Sequence, residues 1–170
     1  INLMGEQINI NYLKREDKIF LKSNIDQKNQ KFKIDSIIEL NPFYFDSKVT
    51  LINRDFEFFI DYLLNYLSNY RKDLLGNLTG DLSLHLEDID NEIIDNGKIR
   101  LKINEKSLDI LETLLEIKSV GNIKSNSKYY DDKGDTIFSS NNILELKNKK
   151  EFAKMFYLSQ KKVNKINKIY

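Results

Sequence analysis

The chain contains no cysteine. That absence excludes disulfides, thiolate metal sites and cysteine nucleophiles together. Histidine occurs once, at His85, proline once, at Pro42, and alanine once, at Ala153. Charge of either sign is nearly absent on balance: the net is +1, which gives no global pull toward nucleic acid. Long hydrophobic runs are missing too. A membrane span needs about eighteen apolar residues, and the richest run, Phe56 to Leu67, is interrupted by Glu57, Asp61 and Asn65. The chain starts at Ile1 rather than methionine, which leaves room for an upstream signal peptide or anchoring helix.

What is present is enough for a folded core. Hydrophobic residues make up 41% and charged residues 31% of 170 residues, so one domain, with or without an appendage, is expected rather than disorder. Lysine far outnumbers arginine, and asparagine and isoleucine are abundant. We read that as the bias of AT-rich coding sequence, without functional meaning.

The first 52 residues alternate as β structure does. Phe32, Ile34, Ile38 and Leu40 share one face of 31–40, and Phe43, Phe45, Val49 and Leu51 one face of 43–52, with shorter strands at 7–13 and 18–22. The period then changes. Apolar residues at 56, 59, 60, 63, 64 and 67 predict a helix over 56–70, with Asp55 as its cap. Leu82, Leu84 and Leu86 alternate with Asp81, Ser83, His85 and Glu87, and Ile99, Leu101 and Ile103 with Lys98, Arg100 and Lys102. A turn is read at Asp95-Asn-Gly97 between them. If these strands pair, an acidic outer face lies beside a basic one. Leu108, Leu111, Leu115 and Ile110, Leu114, Ile117 fall on helical rows, so 108–117 is predicted as a second helix ending before Gly121. Strands follow at 122–130 and 136–147, then a helical stripe from Phe152 to Tyr170.

The expected fold is therefore α+β: an N-terminal antiparallel β segment (1–47), a ferredoxin-like β-α-β-β-α-β core (48–147) and a basic C-terminal amphipathic helix (148–170).

Candidate chemistry is thin. His85 sits between Ser83 and Glu87 on a polar strand face, but no set of Ser, Cys or second His forms around it, so a solvent-facing histidine is the better reading. Glu87, Asp88, Asp90, Glu92 and Asp95, or the loop Asp131, Asp132, Asp135 around Gly134, offer oxygen ligands without EF-hand spacing, so ordinary acidic turns are preferred to a metal site. Gly76-Asn-Leu-Thr-Gly80 lacks the lysine and hydroxyl of a phosphate loop and reads as the start of a strand. Asn77-Leu-Thr79 matches a glycosylation sequon that is common by chance. No catalytic residue, metal or cofactor is expected.

Two features suit partners. Phe58, Tyr62, Tyr66 and Tyr70 form an aromatic row beside the first predicted helix, either a protein-binding stripe or the shoulder of a wide core face. Residues 147–170 hold eight lysines and one acid, Glu151, so they carry +7 against −6 for the remainder. Such a segment docks on its own acidic chain, the preferred reading, or lies on an anionic membrane surface.

Lys48-Val-Thr-Leu-Ile52, Asp55-Phe-Glu-Phe-Phe-Ile-Asp-Tyr-Leu-Leu64 and the hairpin after them resemble the ferredoxin-like periplasmic domains of type IV pilus and type II secretion inner-membrane assembly proteins. That resemblance implies dimerisation and platform assembly without catalysis. Leu75-Gly-Asn-Leu-Thr-Gly-Asp-Leu-Ser-Leu84 and Ile94 to Leu101 are similar to AsmA/TamB-like envelope repeats, which implies lipid handling. The expected function is a non-catalytic interaction or scaffold domain with a protein partner or its own copy, no nucleic acid, and a lipid-handling module as the alternative.

Overall fold

The computed structural model describes residues 2–3, 6–7, 9–23, 31–52, 78–104, 107–132, 135–166 and 168–170. Two short strands, β1 (Asn2–Leu3) and β2 (Glu6–Gln7), pair with each other. The rest of the strands build one sheet in chain order: β3 (Ile10–Arg15), β4 (Lys18–Ser23), β5 (Phe32–Leu40), β6 (Phe43–Ile52), β7 (Gly80–Glu87), β8 (Ile94–Asn104), β9 (Ser107–Ile117), β10 (Gly121–Asp132), β11 (Asp135–Leu146) and β12 (Lys168–Ile169). Helices α1 (Lys149–Met155) and α2 (Gln160–Val163) stand between β11 and β12. Neighbours are antiparallel except β6 and β7, which run parallel. Parallel pairing requires the chain to return the length of the strand between Ile52 and Gly80.

Alternation explains the strands. One face carries the core because every second residue is apolar, and the register lines these residues up across the sheet. Phe32, Leu51, Leu86, Gly97, Leu115, Ile123, Leu144 and Ile169 occupy one row from β5 to β12. Phe32 and Leu86 are each 1% exposed, and burial of such a side chain contributes roughly 1.5–3 kcal/mol. They belong to a central cluster with Leu51, Leu84, Ile99, Leu101 and Leu108. A second cluster forms at the far end, where Phe152, Ala153 and Val163 of the helices cover Ile117 and Val120.

The predicted hairpin of leucine-rich and basic strands is present. Asp81, Ser83 and His85 stand opposite Lys102, Arg100 and Lys98. Its turn lies elsewhere, however. Asn96 and Gly97 are inside β8, and the chain reverses over 88–93, where Asn91 Oδ1 accepts from the amides of Ile93 (2.8 Å) and Ile94 (3.0 Å). Asp95 is an extra residue in the β8–β9 ladder, so the Asn-Gly pair serves a bulge and not a turn.

The ferredoxin-like α+β expectation is overturned. Strands β5 to β11 follow one another in order, and β5–β6 pairing carries the sheet across residue 47 without a break. The helix expected over 108–117 is strand β9. Arg100 pairs with Glu112 and Leu101 with Ile110, which leaves Leu111 as an extra residue in a bulge. The bulge puts 108 and 110, then 113, 115 and 117, on the inner face. That broken alternation mimics helical spacing in the sequence. Asn126 supports it: once its amide is turned so that the nitrogen faces the two carbonyls, it donates to Leu111 O (2.5 Å) and Ser125 O (3.0 Å). The single C-terminal helix is also corrected: Tyr157, at φ 53°, ends α1, and β12 follows α2. The helix expected over 56–70 lies outside the described residues.

The bulge gives a test of register. Deleting Leu111 turns β9 into a plain alternating strand with the same residues inward, and should lower stability by only about 1–2 kcal/mol. Deleting Thr113 instead forces Glu112 inward beside Ile99 and should cost more than about 3 kcal/mol. Urea unfolding of both variants checks the order; equal losses would refute it.

Candidate functional site

On the outer face, charges from neighbouring strands pair. Glu112 of β9 receives Arg100 Nε at 2.9 Å and Lys98 Nζ at 4.0 Å from β8. Lys128 of β10 approaches Asp109 of β9 at 3.7 Å, and Lys18 of β4 meets Glu39 of β5 at 2.6 Å. Glu145 of β11 binds Lys124 at 2.7 Å and Lys168 at 3.2 Å, and those two bonds hold its carboxyl below the usual range. Tyr44 donates its hydroxyl to Asp81, which pushes the phenol up to about 12. Exposed pairs of this kind are worth roughly 0.2–1 kcal/mol each, so this face is solvated and neutralised rather than reactive.

His85 lies on this face. Leu84 and Leu86 on either side of it are buried, which turns the imidazole outward opposite Thr50 and Lys98. Burial first, then Lys48 and Lys98, lowers its pKa below the ordinary 6.5, against a weaker pull from Glu87.

The inner face holds a different chemistry. Where the rows reach β10 and β11, leucine and isoleucine give way to Ser125, Ser127, Ser140 and Asn142. Their side chains form one network: the Ser125 hydroxyl donates to Asn142 Oδ1 at 2.6 Å, Ser140 to the same oxygen at 3.1 Å, and Ser127 and Ser140 hydroxyls lie 2.8 Å apart. The next row on one side carries Tyr129 and Phe138, paired across the strands, with Phe138 58% exposed. On the other side stand Ile123 and Leu144, which pack against the helix cluster. Short side chains between taller ones make a trough with a hydroxyl-and-amide floor and apolar walls.

These serines cannot use His85 as a base. They project from the inner face and the histidine from the outer one. A shallow depression of about 280 Å³ on the outer face, at the bulge, is lined by Glu112, Lys124, Asn126 and Asn141 among others.

The other expected residues are scattered. Phe58, Tyr62, Tyr66 and Tyr70 lie outside the described residues. Asp131 and Asp132 end β10 and Asp135 begins β11, with Asp132 opposite Asp135 in the ladder. Among the described residues no three His, Asp or Glu side chains converge as a metal site would require. In the other acidic run, Asp95 faces Lys118 at 3.6 Å. Gly80 starts β7 beside Phe45, where a Cβ would meet the Phe45 carbonyl at 2.3 Å. The serine trough escaped the sequence reading, although its signal was there. Ser125 and Ser127, then Ser140 and Asn142, are small polar residues at alternate strand positions. Comparison with protein-family models, curated proteins and solved structures finds no match.

Because the folded chain binds the His85 proton less tightly than the unfolded chain, protonation opposes folding. His85 is neutral in effect above about pH 6.5 and subtracts stability as pH falls below it. The variant His85→Gln should therefore match the parent near about pH 8 and exceed it near about pH 5. Urea unfolding at both values checks this; a constant offset between the proteins would contradict it.

Proposed function

We propose that this chain is a non-catalytic interaction module that receives a protein partner on the inner face of β10 and β11. The observation that carries this reading is the trough. It is a continuation of the core face that emerges into solvent, with a pre-linked polar floor between apolar walls. Its hydrogen-bonding groups are held by one another, so little ordering is needed on binding. Phe138, exposed at its rim, is an aromatic anchor of the kind that dominates interfaces. The separation of His85 from the hydroxyls supports the non-catalytic part, since neither can activate the other.

The narrower expectation of a pilus or secretion assembly subunit drew on ferredoxin-like topology, and the sheet order removes that support. A lipid-handling module needs a continuous apolar groove. The described central cluster is instead packed, with Phe32, Leu51 and Leu86 at 1–2% exposure.

The test is association of three variants that retain the parent's circular dichroism. Ser127→Arg and Phe138→Ser should each weaken binding, to another protein or to a second copy, by about tenfold or more. Lys102→Ser on the outer face should leave it unchanged. Affinity purification with quantitative mass spectrometry and sedimentation velocity read the two cases. Retention of every association by both trough variants would reject the proposal.

A further inference from the structure

Helix α1 ends in a motif that asks for glycine and contains tyrosine. The Leu158 amide donates to Ala153 O at 2.7 Å and the Tyr157 amide to Lys154 O at 3.3 Å, the paired bonds of a Schellman cap. The residue between, Tyr157, must be left-handed, and its φ is 53°. Glycine adopts that conformation without strain, whereas a bulky side chain there is an outlier. Nothing is recovered by packing, because Tyr157 is 98% exposed. Its neighbours Phe156 (49%) and Leu158 (46%) are exposed as well, so three consecutive large side chains meet solvent at the tip where α1 ends. The base of the tip is fixed: the Phe156 ring leans on buried Phe152 at 4.8 Å, and Lys149 Nζ ties α1 to Asn164 O at 2.8 Å.

Charge surrounds the tip. Residues 149–165 carry six lysines and one acid, Glu151, a net +5. Lys154 is 80% exposed, and Lys161, Lys162 and Lys165 border one open depression beside α2. Arginine, with its fixed fork for a particular carboxylate, is missing from this segment. Lysine point charges around protruding Phe, Tyr and Leu suit a diffuse anionic surface with an apolar interior better than a shaped protein site. Tyrosine settles at headgroup depth, the aliphatic and phenyl groups reach the acyl boundary, and the lysines meet lipid phosphates.

We propose that the α1–α2 tip docks the protein on the surface of an anionic phospholipid bilayer, with Phe156, Tyr157 and Leu158 inserted and Lys154, Lys161 and Lys162 against the headgroups. The strained tyrosine is retained for this contact and not for folding.

Flotation with vesicles tests it, using phosphatidylcholine alone and phosphatidylcholine mixed with phosphatidylglycerol. The parent chain should bind the mixed vesicles only and be released by high salt. The decisive variant is Tyr157→Gly, which relieves the left-handed strain: its unfolding midpoint should stay level or rise while vesicle binding falls by about tenfold. The double variant Lys161→Glu, Lys162→Glu should lose binding by a similar factor. Absence of parent binding to anionic vesicles at low salt would overturn the proposal. So would undiminished binding by Tyr157→Gly, which would mean lysine charge alone is at work. Equal, Tyr157-independent retention on immobilised polyglutamate would point to an acidic protein and overturn it as well.

Discussion

The register of one row of side chains governs this molecule. Phe32, Leu51, Leu86, Gly97, Leu115, Ile123 and Leu144 must stay level across β5 to β11, because a shift of one residue in any strand turns its apolar set to solvent. Glycine permits two close approaches, one in this row and one beside it. A Cβ on Gly97 would meet Leu115 Cδ2 at 2.7 Å and Leu86 Cδ1 at 3.0 Å, so its hydrogen is what lets leucines from the flanking strands close over β8. At Gly121 a Cβ would come within 2.0 Å of the Glu145 carbonyl, a backbone atom that cannot move without opening the β10–β11 ladder.

Two bulges adjust that row without breaking it. Asp95 in β8 and Leu111 in β9 are both absorbed beside the same inter-strand ladder, so the two strands keep step from Asn96–Glu116 to Arg100–Glu112. The outer-face pairs depend on this. Glu112 reaches Arg100 because the bulge absorbs Leu111; strict alternation with Leu111 kept in the ladder would turn Glu112 over the apolar row. Individually such ion pairs are weak, yet like charges set opposite each other would favour a slipped register. Their contribution is to specificity of pairing more than to net stability.

This division explains what could be read from the sequence. Strands with unbroken alternation, such as Phe32 to Leu40 and Leu82 to Leu86, were legible, and so was the pairing of an acidic with a basic outer face. Strand β9 was not, because one extra residue converts a period of two into rows at three and four, and no local signal separates that from a helix. Asn96-Gly97 misled for the same reason: a pair that favours turns favours bulges too. The parallel pairing of β6 with β7 was not legible, because alternation within a strand carries no mark of its neighbour's direction. Ser125, Ser127, Ser140 and Asn142 were visible as residues but not as a cluster, since strand pairing alone brings 125 beside 142.

The helix cluster links the two surfaces. Ile123 and Leu144 are at once a wall of the serine trough and the seat on which Phe152, Ala153 and Val163 rest. Lys168 and Lys124, both bound to Glu145, fasten the chain after α2 to the same strands. The C-terminal segment is thus docked through its apolar residues, and only two of its lysines, Lys149 and Lys168, are drawn into bonds with other elements among those described. Lysines that no other described element engages, next to an aromatic side chain that folding would replace by glycine, are available for recognition. Stability and recognition here draw on different residues of a single short segment, so each can be altered while the other is held constant.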